Sequence, residues 1–316
     1  MNLSDPTFHE DAKAREWLEA QVWPNGPVCP HCGNADRTRI KALQGKTHRP
    51  GLFKCNECRE QFTLTVGTVM ERSKIPLRKW AMAMFLMAAS KKGISAHQMH
   101  RMMDVPYKTA WFLMHRIREA MKETNGAKTP LGGVGMAVEI DETYFGNKEV
   151  ITKRTRRGKP SHSSKRSVVA IVERGGSARS FHVKRADAST VAVIMDENIH
   201  KRSHLFTDES RLYTDAGFTF ASHQTVVHSG NEYVRYEKVH AIHSNTVENY
   251  FSVFKRGMRG TYQHCAEKHL HRYLVEFDFR YNRRATLGVT DTQRAAELAG
   301  GALGKRLTYR EVVAKA

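Results

Sequence analysis

Three acidic residues occupy positions from which they could do metal-dependent chemistry. Asp141 and Asp208 each end a short apolar run, and Glu248 lies on a predicted helix that begins near Asn245. Mg²⁺ and Mn²⁺ prefer oxygen ligands, above all carboxylates. Two aspartates at strand ends and a glutamate on a later helix could therefore hold divalent cations against a phosphodiester.

The segment 243–260 predicts an amphipathic helix. At about 100° per residue, four apolar side chains fall on one side: Val247, Phe251, Phe254 and Met258. The other side carries Asn245, Glu248, Ser252, Lys255, Arg256 and Arg259. The carboxylate of Glu248 is thus expected among cations that could contact a polyanion.

Four of the five cysteines form two C-x-x-C pairs, Cys29 with Cys32 and Cys55 with Cys58, with 22 residues between the pairs. Each pair can place two thiolates on one metal, and four thiolates complete a closed tetrahedral site. The spacing predicts a zinc ribbon with one structural Zn²⁺. Because the segment is small and polar, the metal is expected to supply folding energy.

The composition indicates a polyanionic partner. Across 316 residues, 51 Lys and Arg stand against 32 Asp and Glu, a formal net charge of +19. Such an excess is typical of proteins that bind nucleic acid. No stretch is long and apolar enough to span a bilayer, and no Gly-rich phosphate-binding loop is present, so we expect neither membrane association nor an ATP requirement. We expect a cytoplasmic, nucleoid-associated protein, in which cysteines are more often metal ligands than disulfides.

The middle of the chain predicts three helices, at Leu77–Ala89, from a cap at Ser95 to about Met103, and at about Tyr107–Glu123. Helix, short turn and longer helix is the outline of a helix-turn-helix. The third helix is expected to present Lys108, His115, Arg116 and Arg118 to solvent or DNA. The alternative is a helical spacer whose charges form a solvated face.

A second basic segment, residues 153–166, holds seven cations and no acid. It predicts a solvated loop that also serves as a phosphate-binding arm, with Arg156 and Arg157 among its cations, since phosphate contacts give affinity without sequence specificity.

The fold class predicted from these patterns is α+β and multidomain. After Asp141 come two strands joined at Gly175-Gly176, a helix, the strand that ends at Asp208, and two late helices. Glu139 and Glu142, which flank Asp141, are expected to be ordinary strand-end acids. The predicted divisions are 1–70 (zinc ribbon), 71–125 (helical, helix-turn-helix-like), 131–286 (α/β) and 287–316 (tail).

This order of elements resembles the ribonuclease H-like fold of DDE transposases. Further runs look like the zinc-ribbon-bearing group of bacterial insertion-sequence transposases, with an ISXO-type catalytic domain. They are Gly67-Thr-Val-Met-Glu71, Ile140-Asp-Glu-Thr-Tyr-Phe-Gly146, Lys255-Arg-Gly-Met-Arg-Gly-Thr-Tyr262, and Arg280-Tyr-Asn-Arg283 with its lead-in Leu274-Val-Glu-Phe277. Together with the zinc ribbon, the resemblance covers about residues 20–285.

The resemblance implies that Asp141 and Asp208 are the first two metal carboxylates. Glu248 follows Asp208 after 39 intervening residues, and Lys255 follows Glu248 after six, the DDE pattern of an acid and a DNA-contacting cation. Some members of the group use Asn at the third position, which leaves Asn245 as an alternative. We favour Glu248, because a hard cation prefers an anionic oxygen. Alternatively, Asn245 and Glu248 form a capping box and Glu248 bonds the backbone.

The function that the resemblance implies is that of a DNA transposase. Such a protein would bind the terminal inverted repeats and target double-stranded DNA, cut with two Mg²⁺ or Mn²⁺ ions, and transfer the cut strand, as a homo-oligomer on DNA. The alternatives are a non-catalytic zinc-ribbon DNA-binding protein, either a regulator or a decayed transposase, and a simple nuclease.

Overall fold

A computed structural model describes residues 1–123, 129–147, 165–230, 232–237 and 241–308. The chain divides into two compact units, one of residues 1–124 with 288–316 and one of residues 125–287. The predicted ribbon, the helical region and the C-terminal segment therefore belong to a single unit. The predicted α/β segment makes up most of the other.

In the first unit, a 3-10 turn (Pro6–Phe8) precedes helix α1 (Asp11–Val22) and a three-stranded antiparallel sheet in the order β1-β2-β3. The strands are β1 (Ile40–Leu43), β2 (Leu52–Cys55) and β3 (Gln61–Phe62). An aromatic group covers this sheet, with the Trp23 ring 5.6 Å from Phe53 and 5.9 Å from Phe62. Such short strands form little core by themselves, which fits a ribbon that depends on a metal.

Three helices follow the ribbon: α2 (Leu77–Ala89), α3 (Ala96–Met103) and α4 (Tyr107–Ala120). The predicted bounds of α2 are correct, and Ser95 caps α3 as predicted by accepting a 3.1 Å hydrogen bond from the Gln98 N–H. Asp104, in the left-handed conformation at a φ of 45°, ends α3 and starts the turn to α4. The α4 helix ends three residues earlier than predicted.

The second unit is built on a five-stranded mixed sheet. Its strands are β4 (Ala137–Asn147), β5 (Lys165–Glu173), β6 (Ala178–Val183), β7 (His204–Asp208) and β8 (Ser222–Val226), in the order β6-β5-β4-β7-β8. Strand β5 pairs antiparallel with β4 and β6, whereas β7 pairs parallel with β4 and β8. The two strands that carry the predicted aspartates are thus neighbours at the centre of the sheet.

Strand β4 does not end at Asp141, as predicted, but continues to Asn147. Its parallel ladder with β7 stops where Glu139 faces Phe206, while the antiparallel ladder with β5 runs on. Asp141 and Asp208 each lie two residues beyond that last parallel pair. Because neighbouring strands are about 4.8 Å apart and residues two apart share a face, the two aspartates lie level on one side of the sheet.

Helices cover both faces of the sheet. On one face, α5 (Ala188–Asn198) packs Val191 and Met195 against the strands, and the short α6 (Thr214–Gly217) follows β7. After the small ladder of β9 (Arg235–Tyr236) and β10 (Ala241–Ile242), α7 (Asn245–Gly257) and α8 (Leu270–Asn282) pack on the other face. Buried Val247, Phe251, Phe254 and Met258 confirm the predicted apolar side of α7.

The last helix, α9 (Asp291–Gly300), belongs to the first unit, where it packs against α1 and α2. A capping box at Thr290 and Gln293 starts it, and the buried Arg294 guanidinium donates to the Ala88 carbonyl at the end of α2 at 2.9 Å. Within the described ranges, no helix combines the length and apolar character of a membrane span.

Candidate active site and zinc centre

The four paired cysteines come together as predicted. Their sulfur atoms all lie within 4.8 Å of one another, with Cys29 Sγ 3.6 Å from Cys58 Sγ and Cys32 Sγ 3.7 Å from Cys55 Sγ. Four sulfurs at about 2.3 Å from one tetrahedral zinc would be about 3.8 Å apart. The cluster therefore has the dimensions of one Zn²⁺ site.

The thiols of this cluster perturb one another's pKa in opposite directions. The backbone N–H of Cys58 is the main cause that lowers the pKa of Cys55 to about 6. For Cys58, the N–H of Glu60 lowers the pKa, but burial and the neighbouring thiols outweigh it and raise the pKa to about 12. A bound metal ion would deprotonate all four thiols and neutralise the charge of the resulting thiolates.

Asp141 is the centre of the acidic site in the second unit. Burial is the largest cause that raises its pKa to about 8, followed by the neighbouring carboxylates of Glu142, Asp208 and Glu248. Acids on β4, β7 and α7 are therefore close enough to perturb one another electrostatically. A divalent cation would relieve this repulsion, and anionic oxygens are the donors that Mg²⁺ and Mn²⁺ prefer.

The acids are not drawn into a tight cluster. Of the residues that the structure describes, the four cysteines are the only group of three or more His, Cys, Asp or Glu side chains whose ligand atoms all lie within 4.8 Å of one another. By chemistry, the carboxylates of Asp141, Asp208 and Glu248 are the kind of donor that a divalent metal takes.

Glu142 has a role beyond that of a strand-end acid. The hydroxyl of buried Tyr213, which lies in the segment after β7, donates to Glu142 Oε2. Burial is the main cause that raises the pKa of Glu142. This contact links the strand of Asp141 to the chain that follows Asp208, where the Ser210 N–H donates to Asp208 Oδ1 at 3.0 Å.

Glu248 and Asn245 do not form a capping box. The N-cap of α7 is Ser244, and Asn245 is the exposed first residue of the helix. Glu248 instead accepts a 2.9 Å hydrogen bond from the Ser244 hydroxyl, and His228 Nε2 lies 3.3 Å from the same oxygen, Oε1. With its side chain 48% exposed, Glu248 remains available as a ligand.

The acid that does cap α7 is Glu139, and sequence reasoning missed it. Its Oε2 accepts from the N–H groups of Thr246 and Val247 at 2.8 and 2.9 Å, and its Oε1 accepts from the Thr246 hydroxyl and from Arg174 Nε at 2.8 and 2.6 Å. His243 Nδ1 lies 3.1 Å from Oε1. Fully buried and saturated with donors, Glu139 is a structural anchor and not a metal ligand. The sequence did contain a signal for this position. Glu139 lies two residues before Asp141 in the same strand, so the two side chains face the same side of the sheet.

Arg174 completes this anchor. Its guanidinium donates to the carbonyls of Ala241 and His243 just before α7 and lies 4.1 Å from the Phe206 ring centroid in β7. The Glu139–Arg174 pair therefore connects β4, β7 and the start of α7. Because these three elements carry Asp141, Asp208 and Glu248, the pair helps to set the relative positions of the three acids.

The predicted cations of α7 lie on its polar side. Lys255 is half-buried and Arg256 exposed, and Arg259 is exposed in a π-helical turn, Met258–Tyr262, that continues α7. Arg156 and Arg157 lie outside the described residues.

In the first unit, the structure corrects the prediction for Arg116. Its side chain is buried, donates to the Glu71 carbonyl at 2.6 Å, and places its guanidinium 5.3 Å from the Trp80 ring centroid. His115 and Arg118 are buried as well. The helix therefore turns these cations inward, while Lys108 in its first turn is exposed.

Comparison with known proteins agrees with this two-part organisation. Residues 130–282 match the model of the ISXO2-like transposase domain, and residues 9–61 match the transposase zinc-ribbon domain. The chain therefore carries the two domains of a zinc-ribbon-bearing insertion-sequence transposase, a transposase zinc ribbon and an ISXO2-like transposase domain.

A curated relative points the same way. The chain is 27% identical over 289 residues to an "uncharacterized protein in transposable element ISH50" of Halobacterium salinarum. The match covers 87% of this chain and 92% of that protein.

Proposed function

We propose that this protein is an active DNA transposase that cuts the ends of its element and joins them to target DNA. The observation that carries the proposal is that carboxylates from β4, β7 and α7 lie near enough to perturb one another electrostatically. Asp208 and Glu248 both raise the pKa of Asp141, and Asp141 and Asp208 lie level on neighbouring parallel strands. The sheet order β6-β5-β4-β7-β8 supports the assignment to a ribonuclease H-like fold.

Asp141, Asp208 and Glu248 would hold two Mg²⁺ or Mn²⁺ ions, with Asn245 at the exposed start of α7 as the alternative third ligand. When bound, such ions activate a water molecule and stabilise the leaving oxygen of an in-line displacement. We favour Glu248 because its carboxylate is exposed and is not used as a helix cap.

The proposed reaction has two displacements at phosphorus. In the first, a water oxygen bonds to the phosphorus at the element's end and the bond to O3′ breaks, which leaves a 3′-hydroxyl and a 5′-phosphate. In the second, that hydroxyl attacks a target phosphodiester and displaces its O3′. One phosphodiester replaces another in the second step, so no ATP is consumed.

DNA would be held by the cations of α7 and by the first unit. Lys255, Arg256 and Arg259 follow Glu248 along one helix and could neutralise phosphates near the acids. The zinc ribbon and helices α3 and α4, with Lys108 at the exposed start of α4, would recognise the terminal inverted repeats. Two ends must be brought together for joining, which favours a homo-oligomer on the DNA, in the cytoplasm at the nucleoid.

The test is a cleavage assay with the full-length, zinc-loaded protein, DNA carrying the element's terminal repeat, and Mg²⁺. We expect nicks at the element's end and joined products with target DNA, and no cleavage by Asp141→Ala or Asp208→Ala variants that still bind the DNA. Binding without cleavage by the unaltered protein would indicate a non-catalytic DNA-binding protein. Cleavage without joined products would indicate a simple nuclease.

A further inference from the structure

A short turn connects two walls of the acidic site. The turn, His228–Gly230, follows β8 and is not one of the segments that carry the acids. On one side it holds the segment after Asp208, because the Ser229 N–H and hydroxyl donate to the two oxygens of Glu209 at 3.2 and 3.0 Å. Glu209 is the residue directly after Asp208.

On its other side the turn reaches helix α7. His228 Nε2 lies 3.2 Å from Ser244 Oγ and 3.3 Å from Glu248 Oε1, and the Ser244 hydroxyl donates to the same Oε1 at 2.9 Å. Imidazole, hydroxyl and carboxylate therefore form a triangle. Ser244 is buried at the N-cap of α7, so one of the three groups is held in a fixed position.

This triangle restricts a side chain that would otherwise be mobile. A glutamate on a helix surface gives up rotamer freedom when it binds a ligand, and that loss opposes binding. Both contacts to Glu248 use Oε1, so Oε2 is left for another partner. Groups that orient a metal-binding carboxylate in this way commonly change metal affinity when they are removed.

We propose that His228 is a positioning residue for Glu248, and that the His228–Gly230 turn fastens α7 to the segment after Asp208. The turn would then connect the two segments that carry Asp208 and Glu248, the second and third acids. This inference rests on the proposed function, because it assumes that Glu248 binds a divalent metal.

The test measures Mn²⁺ binding by the full-length, zinc-loaded protein without DNA, using titration calorimetry or the electron paramagnetic resonance of free Mn²⁺. His228→Ala is expected to weaken Mn²⁺ affinity about tenfold. His228→Gln, whose amide can still donate to Ser244, is expected to lose about threefold or less. His264→Ala, at an exposed histidine of the same unit, is the matched control and should bind like the unaltered protein.

A double-mutant cycle tests the connection itself. Glu209→Ala breaks the turn's other attachment, and it also removes a charge near the site. If the turn transmits rigidity, the combined His228→Ala and Glu209→Ala variant should bind Mn²⁺ little worse than the weaker single variant, because either break already frees the turn. Fully additive losses would overturn the bridging role.

The remaining outcomes separate this inference from the function on which it rests. If the unaltered protein binds Mn²⁺, Asp141→Ala does not, and His228→Ala binds as well as the unaltered protein, the positioning role is overturned and the metal site stands. The positioning role is also overturned, and the metal site again stands, if His228→Gln binds Mn²⁺ as weakly as His228→Ala does. If Mn²⁺ binding does not depend on Asp141, the metal site and the inference fail together. Unchanged thermal unfolding of each variant rules out a loss of fold.

Discussion

The replacement of Glu139 by glutamine gives a sharp test of how the candidate site is held together. The two carboxylate oxygens accept from four donors, two backbone N–H groups of α7 on Oε2 and Arg174 and a hydroxyl on Oε1. A glutamine has one acceptor oxygen, so in either orientation its NH₂ group faces two of these donors. At about 1–3 kcal/mol for each buried donor left unsatisfied, the expected loss of stability is about 1–3 kcal/mol if the Thr246 hydroxyl turns to accept from the NH₂ group, and about 2–6 kcal/mol if the two backbone N–H groups lose their acceptor.

That loss agrees with the cost of breaking a buried ion pair from one side, about 3–5 kcal/mol. It is a large part of the total stability of a domain, about 5–15 kcal/mol. The assay is hydrogen exchange of the Thr246 and Val247 amides, because full-length unfolding of two units need not be two-state. A local loss of about 2 kcal/mol corresponds to exchange about 30-fold faster.

Two further variants calibrate the result. Thr246→Val removes one hydroxyl donor and should cost about 1 kcal/mol. Glu197→Gln, at an exposed acid of α5, should change stability by less than about 0.5 kcal/mol. If Glu139→Gln exchanges at the same rate as the unaltered protein at both amides, Glu139 does not cap α7 and our account of the site's assembly is wrong.

Three other outcomes are expected. Cys55→Ser should unfold the zinc ribbon, seen as loss of bound zinc and of protease resistance in residues 24–67. Because the pKa of Asp141 is raised to about 8, its contribution to stability is complete below the unfolded pKa near 3.9 and is lost as pH rises through 8. Without added Mg²⁺, Asp141→Asn should therefore gain stability over the unaltered protein by about 1.4 kcal/mol per pH unit from pH 5 to 7, and less steeply as the pH approaches 8, in urea unfolding; a constant difference would contradict this. Arg116→Ala should lower the stability of the first unit by about 2 kcal/mol. Lys108→Ala should instead reduce the salt dependence of DNA affinity by about one phosphate contact. If Arg116→Ala changed the salt dependence and Lys108→Ala changed the stability, Arg116 would be a DNA contact after all.

The elements that sequence reasoning placed well are those with strong local signals. Helix α2 has its predicted bounds because Pro76 marks its start and the apolar run 80–89 follows within the first turn. Helix α7 has its predicted apolar side because its buried residues recur with helical spacing. The end of β4 was wrong for a non-local reason. The acids after Ile140 are typical of a strand end, but pairing with β5 continues through them, and only the partner strand determines where the ladder stops.

The zinc cysteines and the placement of Asp141 and Asp208 follow from spacing and strand order, so they were open to prediction. The roles of Glu139, His228 and Arg116 were not, because each depends on a partner far away in the chain. Glu139 contacts residues more than a hundred positions later, and Arg116 contacts a backbone carbonyl 45 positions earlier. The sequence shows where the cationic side chains lie along the chain. Whether such a side chain can contact DNA or bonds the protein's own backbone depends on its burial, which the sequence pattern does not give.

The return of α9 to the first unit has a consequence for how the protein is synthesised. Helix α2 emerges from the ribosome some two hundred residues before its partner α9. At about 5–20 residues per second, its apolar face stays uncovered for at least ten seconds. During that time the intervening unit can fold, but the ribbon-bearing unit remains incomplete. A chain that ends before residue 288 would therefore leave the α9-facing sides of α1 and α2 uncovered, in the unit that carries the zinc ribbon at the opposite end of the sequence.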